Sequence, residues 1–313
     1  MDEQGAITLL TQAFGSRART LVDNGDDAVV LRAVREPVVL SVDASVEGVH
    51  FDLGRMRLAD VGFRAHAAAV SDLAAMGAKP LCSLSALTLP RGFSRRSLAQ
   101  LVAGQRDSAT LHRCPIVGGN VARAEELTLS TTVVGTVKRP LRRDGARAGD
   151  EIWLFGDVGL SRAGLELMRA TRKPALSAGA RRAAQAAFLR PRARVTEARR
   201  LQGRAAALID VSDGLLQDAG HVAAASGVKL RLDWRALQRI VTDELQEIAA
   251  AFGARALEWA LGGGEDYALL ATGPQRHRPR GAKVIGSVER GRGVSIPGAP
   301  AWVRQVRGFD HLR

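Results

Sequence analysis

Cysteine is nearly absent from this chain: its 313 residues hold only Cys82 and Cys114, with no CxxC pair. That excludes a disulfide framework and a cysteine zinc site, and both thiols read as inert core residues. Long apolar runs are missing as well. Stretches such as AAAV at 67–70 and AAALI at 205–209 fall far short of the roughly 20 residues that cross a bilayer, so no membrane association is expected. The first 20 residues carry Asp2 and Glu3 where a secretory leader would have a basic start and an apolar stretch. A soluble, cytoplasmic protein is the expectation. Aromatic residues make up only 4%, which leaves few stacking platforms for single-stranded nucleic acid. Lysine is scarce too. Only Lys79, Lys138, Lys173, Lys229 and Lys283 occur, so the formal charge of +13 rests on 40 arginines. Such an excess can mark a nucleic-acid binder, but no block of five or six like charges occurs. Scattered arginines of this kind read as compositional drift, and nucleic acid is not the expected partner.

What is present is ordinary for a globular protein, with 46% hydrophobic and 25% charged residues. At about 150 residues per domain the length suggests two domains, large enough to hold a core without staples. Helical spacing of apolar residues marks 7–14, 58–77 and 94–111. Valine-rich or β-branched runs bounded by Gly, Asp or Pro predict strands at 28–32, 38–43, 84–90, 116–119 and 126–137. The polar, Gly- and Pro-punctuated stretch 139–150 is the best boundary, giving domains 1–140 and 141–313. Beyond it, strands are expected at 151–156, 205–211, 228–233 and 267–272, with helices near 160–170 and 214–225. The class is therefore α/β or α+β.

The informative feature is where the carboxylates fall. Asp26, Asp27, Asp43, Asp72, Asp210, Asp213, Glu265 and Asp266 cluster at junctions of predicted elements, in NGDDA, SVDAS, VSDLAAMG, IDVSDG and GGGEDY. Rigid scaffolds present functional side chains at such loops. Carboxylates gathered in one place repel each other unless cations sit between them, and oxygen-only ligands suit Mg²⁺, which completes its shell with water and phosphate oxygens. Taken singly, each of these residues also reads as a turn former or helix cap, and spacing alone does not bring them together. Other phosphate-binding signatures are missing: there is no GxxxxGK[ST], no GxGxxG between a strand and a helix, no protein-kinase set and no GxSxG elbow.

Seven fragments in order resemble the thiamine-monophosphate kinase family, within the superfamily of aminoimidazole ribonucleotide synthetase. They are GDDAVV at 25–30, SVDASVEGVHF at 41–51, VSDLAAMGAKP at 70–80, VGGN at 117–120, IDVSDGL at 209–215, GGEDYALL at 263–270 and GFDH at 308–311. The resemblance implies an N-terminal α/β domain whose strands join a second subunit's in a barrel, and a C-terminal α/β domain. It implies a homodimer with ATP in a cleft near the dimer interface, and transfer of phosphate from ATP to thiamine monophosphate with several Mg²⁺ ions. Asp27, Ser41, Asp43, Asp72, Asp210 and Asp213 fall on the family's metal positions. Gly119, Arg143 and Ser212 fall on ATP contacts, and His50, Glu265 and Phe309 on contacts to the thiamine substrate. No protein nucleophile or base is implied. The residue-level alternatives are plain ones: Arg143 as a solvated linker residue, Phe309 as a C-terminal anchor on the core, and His50 as a buried, hydrogen-bonded histidine.

The chain departs from the family pattern within that set. STD becomes Ser41-Val42-Asp43, GGDT becomes Gly119-Asn120-Val121, and NLSDL becomes Ala69-Val70-Ser71-Asp72-Leu73. The residues replaced by Val42 and Asn120 help Asp43's counterpart hold one Mg²⁺, so that position is expected to be weakened, with Asn120 a poorer ligand beside the ATP contact Gly119. Two further readings follow: a diverged paralogue that keeps ATP but phosphorylates another small acceptor, and a non-catalytic basic protein that binds nucleotide or nucleic acid. The absence of a Cys near the start and at the end argues against the selenophosphate synthetase and hydrogenase-maturation branches.

Overall fold

The computed structural model describes residues 2–14, 20–23 and 27–309, so Asp26, Asp310 and His311 of the motifs lie outside the described residues. Two compact units divide the chain, Met1–Leu73 with Ala78–Lys138 and Ala74–Gly77 with Arg139–Arg313.

In the first unit, α1 (Glu3–Ala13) starts on Asp2, whose carboxylate accepts the Gly5 N–H at 2.9 Å. A short antiparallel pair follows, β1 (Thr20–Val22) and β2 (Val30–Leu31). Then come β3 (Val38–Val46), α2 (Leu58–Ala75), β4 (Lys79–Leu89), α3 (Arg95–His112), β5 (Ile116–Arg123) and β6 (Thr128–Thr136). The sheet order is β3-β6-β4-β5, antiparallel except for the parallel β4–β5 pair. Strand alternation gives the sheet two unlike faces. Ser83, Ser85, Leu129, Thr131 and Val133 point to a buried face, while Val38, Leu40, Val42 and Leu84 are exposed on the other. Helix α2 is buried along nearly its whole length and crosses α3 closely. A Cβ at Gly62 would fall on the Leu101 carbonyl, and one at Gly104 on the Ala59 carbonyl, so this crossing tolerates no side chain at either point.

The second unit contains β7 (Glu151–Phe155), α4 (Leu160–Arg169), α5 (Ala178–Leu189), α6 (Val195–Arg200), β8 (Ala207–Val211), α7 (Leu215–Ser226) and β9 (Lys229–Leu232). It continues with α8 (Trp234–Arg239), α9 (Asp243–Ala251), α10 (Ala256–Gly262), β10 (Ala268–Gly273), β11 (Lys283–Glu289) and β12 (Gly293–Ser295). The six strands are ordered β12-β9-β11-β7-β10-β8, antiparallel except for β12–β9. Alternate residues again feed two cores. Ile152, Leu154, Ile209 and Leu270 join the larger one, while Trp153, Phe155, Leu208 and Leu269 join the smaller one under α6.

Mixed α/β architecture is what the sequence predicts, but several elements differ from expectation. Helix α2 ends at Ala75, before Gly77, and β4 begins at Lys79, ahead of the expected residue 84. Helices α5, α6, α8, α9 and α10 and strands β11 and β12 carry no expectation at all. The short helices begin on caps a sequence pattern makes ambiguous, such as Asp233 accepting from Ala236 N at 2.6 Å and Thr242 from Leu245 N at 3.2 Å. No helix among the described residues is long and apolar enough to cross a membrane.

Candidate active site

Each unit carries its own acidic group. In the first, β3 alternation turns Ser41 and Asp43 to the half-buried face and Val42 to the exposed one, where it is 65% accessible. The Ser41 hydroxyl donates to Asp72 Oδ2 at 2.5 Å, joining β3 to the C-terminal part of α2. Asp43 pairs across the strands with Thr131, whose fully buried Oγ1 has no hydrogen-bond partner among the described residues. Ser85 and Gly119 continue that row. A Cβ at Gly119 would fall on the Ser85 carbonyl, so only glycine lets β5 pass there. Asp27 is exposed just before β2, and its neighbour Val29 lays Cγ2 against the position a Gly118 Cβ would take, 3.2 Å away. His50 closes the turn after β3. Its Nδ1 accepts the Val46 N–H at 3.2 Å, which puts the ring proton of the neutral form on Nε2.

Asn120 is brought into the same sheet but not to Asp43. It lies on β5, paired with Ala86 of β4, and β3 and β5 are the two outer strands. At about 4.8 Å between strands, roughly 14 Å of sheet separates the two residues, more than two side chains joined through one Mg²⁺ at about 2.1 Å per bond can span. Val42 points away from Asp43, so its side chain does not face the acidic group. Within one chain, then, Asp43 and Asn120 lie on opposite outer strands of the sheet.

In the second unit, three segments far apart in sequence meet at the turn between β8 and α7. Asp210 is the penultimate residue of β8, buried at 4% exposure, and Ser212, Asp213 and Gly214 form the turn. The Ser212 carbonyl accepts the Glu265 N–H at 2.7 Å, and the Val211 carbonyl accepts the Tyr267 N–H at 2.9 Å. To hold this docking, Gly264, Glu265 and Tyr267 all adopt the left-handed region, with φ of 67°, 56° and 48°. Two non-glycine residues there mark local strain held by the surrounding bonds. The Asp213 carbonyl accepts the Phe309 N–H at 2.9 Å, and the Gln217 amide donates to the Phe309 carbonyl at 3.0 Å. Phe309 is 46% exposed, so it is not an anchor buried in the core. Ser212, Asp213, Glu265 and Phe309 are thus brought together.

Arg143 is not placed with them. Its carbonyl accepts from Ser226 Oγ at 2.8 Å, at the opposite end of α7 from Asp213, and its side chain is exposed. Asp266 proves to be a cap. It is half-buried and accepts the Gly159 N–H at 2.6 Å and the Ser161 N–H at 3.0 Å at the start of α4. Burial pushes its carboxyl up to about 7, against the pull of those two donors.

Two residues of this turn escape sequence reading. Asp218 is 1% exposed, and its Oδ2 accepts both the Ser212 and the Asp213 N–H at 3.1 Å. Burial first, then the nearby Asp213 and Asp210 carboxylates, push it up to about 7, while the two N–H donors oppose the shift. Gln217 bridges Asp213 and Phe309. In sequence both look like polar positions in the first turn of a helix, and only the folded turn reveals them. Taken unit by unit, the donors of Ser41, Asp43 and Asp72 in the first, and of Asp210 and Asp213 in the second, are oxygens of the kind that suit a hard dication such as Mg²⁺.

Residues 25–137 match the family model described as AIR synthase related protein, N-terminal domain. Over 317 residues the chain is 35% identical to the thiamine-monophosphate kinase of Aquifex aeolicus (strain VF5), covering 100% of this chain and 98% of that one. Among solved structures, thiamine-monophosphate kinase from Stenotrophomonas maltophilia K279a matches with a TM-score of 0.83 and 33% identity, over 95% of this chain and 97% of its own. AaThiL complexed with AMPPCP and TMP matches with a TM-score of 0.81 and 32% identity, over 99% and 96% of the two chains.

Proposed function

The chain belongs to the thiamine-monophosphate kinase family, and from that premise we propose that it phosphorylates thiamine monophosphate with ATP, giving thiamine diphosphate and ADP. The observation that carries this reading is full-length likeness combined with the meeting of Ser212, Asp213, Glu265 and Phe309 at one turn. An oxygen of the acceptor phosphate forms the new bond to the γ-phosphorus as the bond to the β–γ bridging oxygen breaks. Transfer of this kind needs placement and charge neutralisation more than covalent help from the protein.

Asp27, Ser41, Asp43 and Asp72 in the first unit, and Asp210 and Asp213 in the second, are the proposed Mg²⁺ ligands. Mg²⁺ held by these residues would supply positive charge against the phosphates. Gly119, Asn120 and Ser212 serve the nucleotide, Gly119 by letting backbone approach closely; Arg143, at the far end of α7 from Ser212, is left out of this set. Phe309 offers a flat, half-exposed ring to the thiamine heterocycles, with His50 and Glu265 as polar contacts. A cytoplasmic location accords with an ATP-consuming enzyme.

The working unit in this reading is a homodimer. Strand β3, nine residues long, pairs only with β6 among the described residues and so forms an edge, which exposes Val38 at 51%, Leu40 at 67% and Val42 at 65%. Such an apolar edge is a liability in a monomer and a ready surface for a second copy. A metal held by both Asp43 and Asn120 then draws on β3 of one protomer and β5 of its partner. One observation favours a second reading: Val42 and Asn120 depart from the family pattern, as a paralogue with another small acceptor would. A coupled assay with ATP and thiamine monophosphate decides between them. Formation of thiamine diphosphate above a no-enzyme blank supports the kinase; ATP consumption only with other acceptors supports the paralogue.

A further inference from the structure

Beyond the proposed phosphoryl transfer, α7 presents a donor set of a different kind. Asp218 and His221 stand three residues apart on one face of this helix, and Asp213 lies in the turn that precedes it. One ligand atom from each of the three lies within 4.8 Å of the other two. We propose that Asp213, a carboxylate shared with the proposed Mg²⁺ set, joins Asp218 and His221 in a binding site for one transition-metal dication, with the imidazole of His221 as the ligand that the oxygen-only Mg²⁺ positions lack.

The argument runs from donor chemistry and placement. An imidazole nitrogen with two carboxylates suits Mn²⁺, Co²⁺ or Zn²⁺, whereas Mg²⁺ prefers oxygen alone. Asp218 is fixed in advance by the two backbone N–H groups on its Oδ2. Its orientation is therefore set before any ion arrives, as ligands of tight sites require. Asp213 is steadied by Gln217, whose amide nitrogen stands 3.4 Å from its Oδ2. His221 is exposed and has no hydrogen-bond or ionic partner among the described residues, so an ion entering from solvent meets it first. Asp218 lies almost wholly out of water with Asp210 and Asp213 near it.

The test uses the full chain in excess Mg²⁺, titrated with Co²⁺ and followed by its visible absorption and by calorimetry. The wild type should bind one more Co²⁺ than His221→Ala, or bind it about tenfold or more tightly, since even loss of an outer hydrogen-bond partner costs that much at a metal. The d–d spectrum should change shape as the nitrogen ligand is lost. His221 is on the surface, so its replacement should leave the circular dichroism unchanged. Identical Co²⁺ isotherms and spectra for the two proteins overturn the proposal. So does complete displacement of Co²⁺ from the wild type by Mg²⁺. Neither readout depends on thiamine monophosphate, so failure of the kinase assay leaves this result standing.

Discussion

Ser41 Oγ and Asp72 Oδ2 stand 2.5 Å apart, a hydroxyl-to-carboxylate bond that ties an edge strand to a buried helix. Thirty-one positions of sequence separate the two residues, and their side chains meet because β3 alternation and the C-terminal turns of α2 point them at each other. A hydrogen bond to a charged group is worth about 1.5–3 kcal/mol. Ser41→Ala should therefore loosen Asp72 and raise the Mg²⁺ concentration for half-maximal activity by about tenfold or more, while the melting temperature moves by only a few degrees. A metal dependence equal to the wild type's would show that this bond is structural only.

Asp218 and Asp266 set a pH dependence whose sign can be worked out. Both carboxyls are held up at about 7 from an ordinary value of 3.8. The folded chain therefore keeps protons that the unfolded chain has released, and stability falls as pH rises from about 4 to about 7. Asp218→Asn keeps an acceptor oxygen for Ser212 and Asp213 and removes the charge. In EDTA, its urea midpoint should fall less between pH 5 and pH 7.5 than the wild type's. Parallel curves would refute the assignment for this residue.

Gly119→Ala directs a methyl group at the Ser85 carbonyl, which is backbone and has no room to move without breaking the β4–β5 pairing. Overpacking of this kind costs about 1–3 kcal/mol or more. A clear drop in thermal midpoint is expected, together with weaker nucleotide binding by calorimetry. A midpoint within a degree of the wild type would mean that β5 has slack at this point.

Asn120→Asp restores a carboxylate where the chain carries a neutral amide. Mg²⁺ affinity or turnover should rise, because a hard dication prefers an anionic oxygen. Superimposable Mg²⁺ titrations would remove residue 120 from the metal set.

Leu40→Arg places a charge on the exposed apolar edge of β3. Analytical ultracentrifugation should show the dimer giving way to monomer, with circular dichroism unchanged. A dimer that survives the substitution would locate the interface elsewhere.

Much of the architecture follows from local pattern. The β-branched run at 128–136 and the valine-rich run at 38–46 become paired strands, and Asp2 and Ser94 cap the helices that follow them. Segments without periodicity or a clear bounding signal stay unread. Helices α8 and α10, six and seven residues long, are too short to show a repeating face, and packing against the larger core decides them. Among the carboxylates, Asp266 and Asp213 look alike in sequence, each beside a glycine-rich turn. Folding makes one a helix cap and the other part of a half-buried turn, because their roles depend on which backbone N–H groups arrive opposite them.

By itself the sequence determined the class of chain, the family and the residue types available for chemistry. Composition and ordered motifs are properties of the string and survive without coordinates. Tertiary structure alone decided that Glu265 and Phe309 dock on the Ser212–Asp213 turn, that Asp218 holds that turn from beneath, and that Asn120 and Asp43 lie on opposite edges of one sheet. Those outcomes depend on strand order and register, which arise from pairing between distant segments, and no local pattern encodes which distant partner a strand will take.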